Sequence, residues 1–310
     1  MNLETALDVK DELESIFAVR TRGGTGRRFA LGVATPVDDD EYRIAVRAPV
    51  EQDLPAETLE VLRQRTDGEL DVRITGTVSP TAAHAFAVQR GLAIGASVGH
   101  VRSTAGTLGF FARRKDGAIG FVSNNHVLAA NDLGKDGDEI VHPAPSDAGK
   151  APRRVVGRLD GAYPRLRRPD AIVDCAFARL IGDLPRDPGL LPDGRRIRDT
   201  PGKPYANPSV AKVGRTTGLT WGRVSAFSLG QIVHYSFGPV YCPRQIEIET
   251  INDESFSLAG DSGALVLCSE CNPVGLVFAA SPIGGYNNCG YTYANPIDAV
   301  LRALNVTILT

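Results

Sequence analysis

Leu258-Ala259-Gly260-Asp261-Ser262-Gly263-Ala264-Leu265-Val266-Leu267 sets a serine between two glycines at the mouth of an apolar run. Glycines let the backbone turn sharply, and the run that follows reads as a buried strand. A serine at that junction suits an exposed nucleophile, with backbone N–H groups turned toward a developing oxyanion. Gly260 and Ser262 are the candidate donors for that oxyanion hole. Taken alone, Gly-Asp-Ser-Gly is also a good turn, so chemistry requires partners elsewhere in the chain.

Strand signals surround this stretch. Residues 107–112 and 118–123 flank Asp116-Gly117, a hairpin signal. Further strand-like segments fall at 155–159, 173–180, 209–213, 222–227, 245–249, 264–268, 273–279 and 290–293, separated by turn residues. Many short strands predict a sandwich or barrel. With 33 Gly and 20 Pro, composition favours a turn-rich β protein over a helical bundle. Pro296 then opens a terminal helix with apolar residues on one face.

Residues 1–80 follow a different pattern. Leu3, Ala6, Leu7, Leu13, Ile16 and Phe17 have helical spacing. Residues 29–35 and 42–48 alternate as two strands, Pro55 opens a second helix, and 70–78 alternate as a third strand. The expected organisation is a small α+β domain over 1–80, an Ala-rich junction over 81–90, and a β domain over 91–310.

A serine nucleophile needs a base, and the chain has 5 His. His126, in Gly120-Phe121-Val122-Ser123-Asn124-Asn125-His126-Val127-Leu128-Ala129, follows a strand and is fixed at its end. His84 falls in the junction, and His100, His142 and His234 lack such a setting. The base needs an orienting carboxylate. Asp174, in Val173-Asp174-Cys175-Ala176-Phe177-Ala178, heads an apolar strand, where a buried charge demands a partner. Asp170, after Pro169 in a basic loop, reads as solvated.

These residues resemble the chymotrypsin/trypsin-like serine peptidases. The order His126, Asp174, Ser262 matches those β-barrels and differs from subtilisin and from α/β-hydrolases. Ser-Asn-Asn-His-Val resembles the histidine motif, where Ala-His is more usual, and Ala264 stands where a second Gly is common. Residues 213–218, Val-Gly-Arg-Thr-Thr-Gly, look like the strand that opens the second barrel in bacterial members. Residues 274–280 look like the substrate-binding strand. Ala294-Asn295-Pro296-Ile297 with its helix is similar to intracellular bacterial members and their plant relatives. The likeness covers roughly residues 91–305 and none of the first 80.

The resemblance implies a chymotrypsin-like all-β double β-barrel with a C-terminal helix, preceded by the small α+β domain. It implies a serine endopeptidase with catalytic His126, Asp174 and Ser262, oxyanion donors Gly260 and Ser262, and no metal or organic cofactor. The alternative is a catalytically silent module of the same fold that binds peptides or serves as a scaffold for partners. An acid six residues before the serine selects basic substrates in trypsin-like enzymes. Phe256 stands there, and with Phe278, Ala279 and Ala280 it forms the candidate substrate-binding set. The implied partner is a protein or peptide substrate; residues 1–80, outside the resemblance, are left to engage a regulatory or substrate protein or simply to extend the fold.

Other classes are disfavoured. A net charge of −2 offers nothing for nucleic acid or an anionic membrane, and no apolar run is long enough to span one. The basic stretch Thr21 to Arg28 follows a helix and reads as a solvated loop rather than a phosphate cradle. No signal-like segment opens the chain and the 5 cysteines are odd in number, so a reduced, cytoplasmic protein is expected. Cys268-Ser269-Glu270-Cys271 has zinc-site spacing, but Cys289 is expected at the catalytic end. Cys242 is expected near Cys268 and Cys271, as a disulfide or as reduced thiols. Many relatives are switched on by a freed N-terminus that reaches the aspartate before the nucleophile, here Asp261. No matching tetrapeptide opens the β domain, so Asp261 is expected to be satisfied internally and the full-length chain to be competent uncleaved.

Overall fold

The computed structural model describes residues 1–17, 28–37, 40–80, 91–103, 105–147, 153–168, 172–206 and 208–310. The expected 81–90 junction with His84, Asp170, and residues 21–27 of the basic stretch lie outside them.

Asn2 caps the first helix, α1 (Leu3–Ile16), accepting the Thr5 N–H at 2.9 Å. β1 (Ala30–Ala34) and β2 (Arg43–Ala48) follow as an antiparallel pair. α2 (Ala56–Arg65) crosses to β3 (Leu70–Ile74), which lies parallel to β2. Parallel neighbours require such a crossover. β1 is buried throughout because both its faces are covered. Leu31 and Val33 share one face, Leu31 with Leu13 and Leu62 of the helices and Val33 with Phe227, while Ala30 and Ala34 on the other face pack with Ala226 and Leu229.

The first barrel comprises β4 (Ser97–His100), β5 (Gly106–Thr107), β6 (Phe110–Arg114), β7 (Ile119–Ser123), β8 (Glu139–His142), β9 (Arg154–Leu159) and β10 (Ala176–Leu180). A short helix, α3 (Asn125–Leu128), follows β7. β5 and β6 act as one bent strand. Leu108 N–H donates to Ala96 O at 2.8 Å, and the next amide, of Gly109, donates to Val122 O at 2.9 Å. That change of partner carries the sheet from β4 to β7 and closes it, with β10, β9 and β8 completing the ring.

The second barrel comprises β11 (Ser209–Gly214), β12 (Gly218–Tyr235), β13 (Gly238–Thr250), β14 (Leu265–Cys268), β15 (Pro273–Ala280) and β16 (Tyr291–Pro296). β11 pairs with both β12 and β14, which closes it. The strands expected at 222–227 and 245–249 are inner portions of β12 and β13, of 18 and 13 residues. Register shifts between Val224 and Gln231 bend this hairpin. Its far end leaves the barrel and reaches the first barrel at Tyr235. Outside the ring, β1 pairs with β12 through Val33↔Phe227 and Ala34↔Ala226, so β1–β3 continue the second barrel's sheet.

Val213, Leu265, Leu267 and Leu276 of the second barrel share one apolar cluster with Val98, Leu108 and Val122 of the first. α4 (Ile297–Leu304) adds Ile297, Val300 and Leu304 to it. The chain then returns to the first barrel as β17 (Val306–Ile308), paired with β6. Among the described residues no helix is long and apolar enough to cross a membrane.

Candidate active site

Asp174 lies two residues before β10 and is fully buried. Its backbone is pinned on both sides. The Asp174 N–H donates to Asn295 Oδ1 at 2.9 Å, and its carbonyl accepts from Asn124 Nδ2 at 2.7 Å. Asn295 is held in turn by Gln245 Oε1 at 2.6 Å, and Gln245 Nε2 donates to Ile172 O at 2.9 Å. Asn125 exchanges two hydrogen bonds with Asp132 and donates to Pro164 O at 2.7 Å. Both asparagines before His126 therefore anchor the turn that carries it.

The carboxylate has three donors. His126 Nδ1 is 2.5 Å from Asp174 Oδ2, the His126 backbone N–H donates to Oδ1 at 3.1 Å, and Tyr235 Oη donates to Oδ2 at 2.8 Å. A carboxylate accepts, so Nδ1 carries the hydrogen, and in the neutral ring that tautomer leaves the lone pair on Nε2. Nε2 is buried and has no hydrogen-bond partner among the described residues. Burial and then the Asp174 charge push the Tyr235 hydroxyl well above its usual value, so it stays a neutral donor. Nothing in the sequence singled out Tyr235, because the bulges before it hide the strand that delivers it.

Ser262 sits at the turn between the loop after β13 and β14. Gly260 (φ 101°) and Gly263 (φ 93°) adopt the left-handed backbone that favours glycine. A Cβ at Gly260 would collide with the Arg215 guanidinium, and one at Gly263 with Ser123 Oγ. The turn is stitched to the first barrel through Thr107. Its N–H donates to Ser262 O at 2.7 Å and its hydroxyl to Gly260 O at 2.9 Å. Gly106 marks where the histidine and serine segments meet: a Cβ there would overlap Val127 and stand 2.9 Å from Ser262 O. Ser262 is itself fully buried.

Asp261 points away from solvent into a cage of internal donors. Oδ1 accepts from Thr216 N at 2.8 Å and Thr217 N at 3.2 Å; Oδ2 accepts from Thr217 Oγ1 at 2.7 Å and Leu258 N at 3.0 Å. Lys212 Nζ lies 3.3 Å from Oδ2 with both groups fully buried. Burial lowers the Lys212 ammonium below its usual range, against the pull of Asp261. Asp261 is thus satisfied inside the chain, as expected. Beside it Arg215 pairs with Asp147, and Asp147 accepts Ser97 Oγ at 2.5 Å, so one buried ion pair links the two barrels. A cleft of about 850 Å³ opens here, lined by Ser97, Arg215, Thr217, Glu254 and Leu258 but by none of His126, Asp174 and Ser262.

His126 and Asp174 thus stand on one closed barrel and Ser262 on the other, across a shared apolar seam. The fold is chymotrypsin-like. No family model matches the sequence. Among curated proteins, Protein NARROW LEAF 1 of Oryza sativa subsp. japonica is 27% identical over 208 residues, 57% of this chain. The matched region amounts to 34% of the rice protein's length. Among solved structures, a glutamic acid-specific serine protease aligns with TM-score 0.49 at 21% identity, covering 70% of this chain and 100% of its own. Thermobifida fusca Protease A aligns with TM-score 0.47 at 19% identity, covering 70% and 98%.

The remaining candidates are placed as follows. Phe256 is buried in the second barrel's core with Ala264, Val266 and Ile248. Phe278 and Ala279 are buried with Tyr235, Tyr291 and Tyr293. Ala280 is half-buried at the end of β15. All 5 cysteines are free. The expected grouping of Cys242 with Cys268 and Cys271 does not form. β13 starts at the catalytic end, so Cys242 packs with Tyr235 and Phe278, while Cys268 packs with Val210 and Val274.

Proposed function

We propose that this chain is a serine endopeptidase that cleaves peptide bonds through an acyl-enzyme. The observation that supports it is the Asp174–His126 contact, which leaves Nε2 buried and without a hydrogen-bond partner among the described residues, on the segment that meets the serine turn at Gly106. Ser262 Oγ attacks the peptide carbonyl as His126 Nε2 accepts its proton. The resulting imidazolium is stabilised by Asp174, whose negative charge is shared with Tyr235 and the His126 amide. The Gly260 and Ser262 amides receive the oxyanion, each such donor contributing about 3 kcal/mol. The imidazolium then protonates the leaving amine, and water repeats the sequence on the acyl-enzyme.

A second reading draws on the full burial of Ser262: a module that binds extended peptides without turning them over. A fluorophosphonate probe separates the two. Stoichiometric labelling at Ser262, lost in both Ser262→Ala and His126→Ala, supports the peptidase. Well-folded protein that is never labelled and hydrolyses no peptide supports the binding module.

A further inference from the structure

β15 has two edges, and they end differently. On one side it pairs with β16 as far as Ala279↔Tyr293 and Ala280↔Thr292. On the other its last bonds to the β14 side are Gly263 N–H to Val277 O and Val277 N–H to Ala264 O, at 2.8 and 2.9 Å. There the chain turns off at Ser262. The backbone of Ala280 on that side is therefore left for another strand, three residues beyond the point where the serine turn leaves the sheet. An edge of this kind is where an extended peptide docks, because its main chain completes the sheet.

That position is filled by the chain itself. Ser79 N–H donates to Ala280 O at 3.1 Å, and Ala280 N–H donates to Ser79 O at 3.0 Å, a reciprocal antiparallel pair. His234 N–H, from the end of β12, donates to Val78 O at 2.9 Å. The Val78 side chain is buried with Leu166, Tyr235, Phe278 and Ala279, the cluster that also seats the hydroxyl donor of Asp174. Upstream, Thr75 and Gly76 are tied to Ala48 O and Pro49 O at 2.9 and 3.1 Å, fixing the segment to the end of β2. Antiparallel pairing makes the step from Ser79 to Pro80 run toward Phe278, the Ser262 end of β15.

We propose that Val78-Ser79-Pro80 occupies the seat of an extended peptide substrate, so that substrate gains the β15 edge only when this strand is displaced. The inference rests on the peptidase reading for its consequence, but the occupancy is a property of the sheet edge. The occupant also describes its competitor: an extended chain with an apolar side chain where Val78 sits and a small one where Ser79 sits. A tethered strand acts at an effective concentration of the order of millimolar, so a free peptide competes poorly against it.

The test uses the full chain, a fluorescein-labelled peptide with the sequence of residues 75–80, and two opposite variants. Ser79→Pro removes the N–H that bonds Ala280. Ser79→Cys with Ala280→Cys joins the strands, whose paired positions suit a reversible disulfide. Peptide affinity by fluorescence anisotropy should rise at least tenfold in Ser79→Pro. In the double-cysteine variant, binding should vanish on oxidation and return on reduction. Folding of each is checked by thermal melting. Affinity unchanged in folded Ser79→Pro, or peptide bound equally by the oxidised and reduced double-cysteine protein, overturns the proposal. A small fluorophosphonate needs no strand pairing and is measured alongside. Failure to label Ser262 in any form counts against the peptidase reading, while the binding results still decide the occupancy.

Discussion

Tyr235 Oη, on a strand of the second barrel, donates to Asp174 Oδ2 of the first at 2.8 Å. The two barrels therefore meet at the carboxylate that orients His126, and any shift between them changes the charge His126 faces. Tyr235→Phe removes that donor while keeping the ring stacked on Phe237. We expect kcat/KM to fall about tenfold, in line with loss of a hydrogen bond to a charged group. An unchanged kcat/KM in a folded Tyr235→Phe protein would show that the hydroxyl plays no part in holding Asp174 for the reaction.

Asp174→Asn keeps the volume but presents an amide to His126 Nδ1. The imidazole then settles with its hydrogen on Nε2 and ceases to be a base. A loss of roughly 10⁴-fold in kcat with little change in melting temperature is expected. Loss of less than tenfold would remove Asp174 from the mechanism.

Alkaline stability follows from buried neutral groups. Burial, then the charge of Asp174, raises Cys175, Cys242 and Tyr235; burial, then Glu247, raises Tyr291 and Tyr293. Each binds its proton more tightly folded than unfolded. Their contribution is fully present below the unfolded values of 9.0 for Cys and 10.0 for Tyr, and is lost as pH rises above them. Lys212, whose value is lowered, opposes the trend, since its own contribution improves as pH rises toward 10.5. The raised groups outnumber it. Melting temperature should fall steadily above about pH 9, and Cys242→Ala should flatten the slope. A rise in melting temperature over that range would contradict the argument.

Arg47 and Glu247 form an ion pair with both side chains fully buried, joining β2 to β13. Arg47 Nε lies 2.9 Å from each carboxylate oxygen, and Nη2 reaches Asp71 at 2.8 Å. Burial alone would raise the Asp71 carboxyl, yet Arg47 and Arg73 hold it below its ordinary value. Arg47→Met should destabilise by about 3–5 kcal/mol, because Glu247 is left charged and buried. Arg47→Met combined with Glu247→Gln should recover part of the loss. Additive losses in the double variant, measured by urea unfolding, would mean that the two do not interact.

Much of this was legible in the sequence. The helices of residues 1–80, the β1–β2 pair and the terminal helix announce themselves through periodicity and a proline. Gly260 and Gly263 advertise the serine turn because only glycine fits where Arg215 and Ser123 crowd the backbone. Other features were hidden for physical reasons. The β12–β13 hairpin changes register three times, so its alternation breaks and its reach to Tyr235 is lost. Cys242 was misplaced by the same omission. Val78-Ser79-Pro80 reads as the tail of a strand, and only the sheet edge it meets some two hundred residues later gives it a role.

The pairing of β17 with β6 has a consequence for how the molecule is made. Thr307 Oγ1 meets Arg113 O across a sequence separation of 194 residues. During synthesis every other strand of the first barrel leaves the ribosome well before that partner exists. The nascent half-molecule must wait with the edge of β6 uncovered, through the translation of an entire second barrel. Contacts this distant slow folding, and an uncovered edge invites pairing with other chains. The interval in which that edge can pair with another chain therefore lasts until the final residues are made.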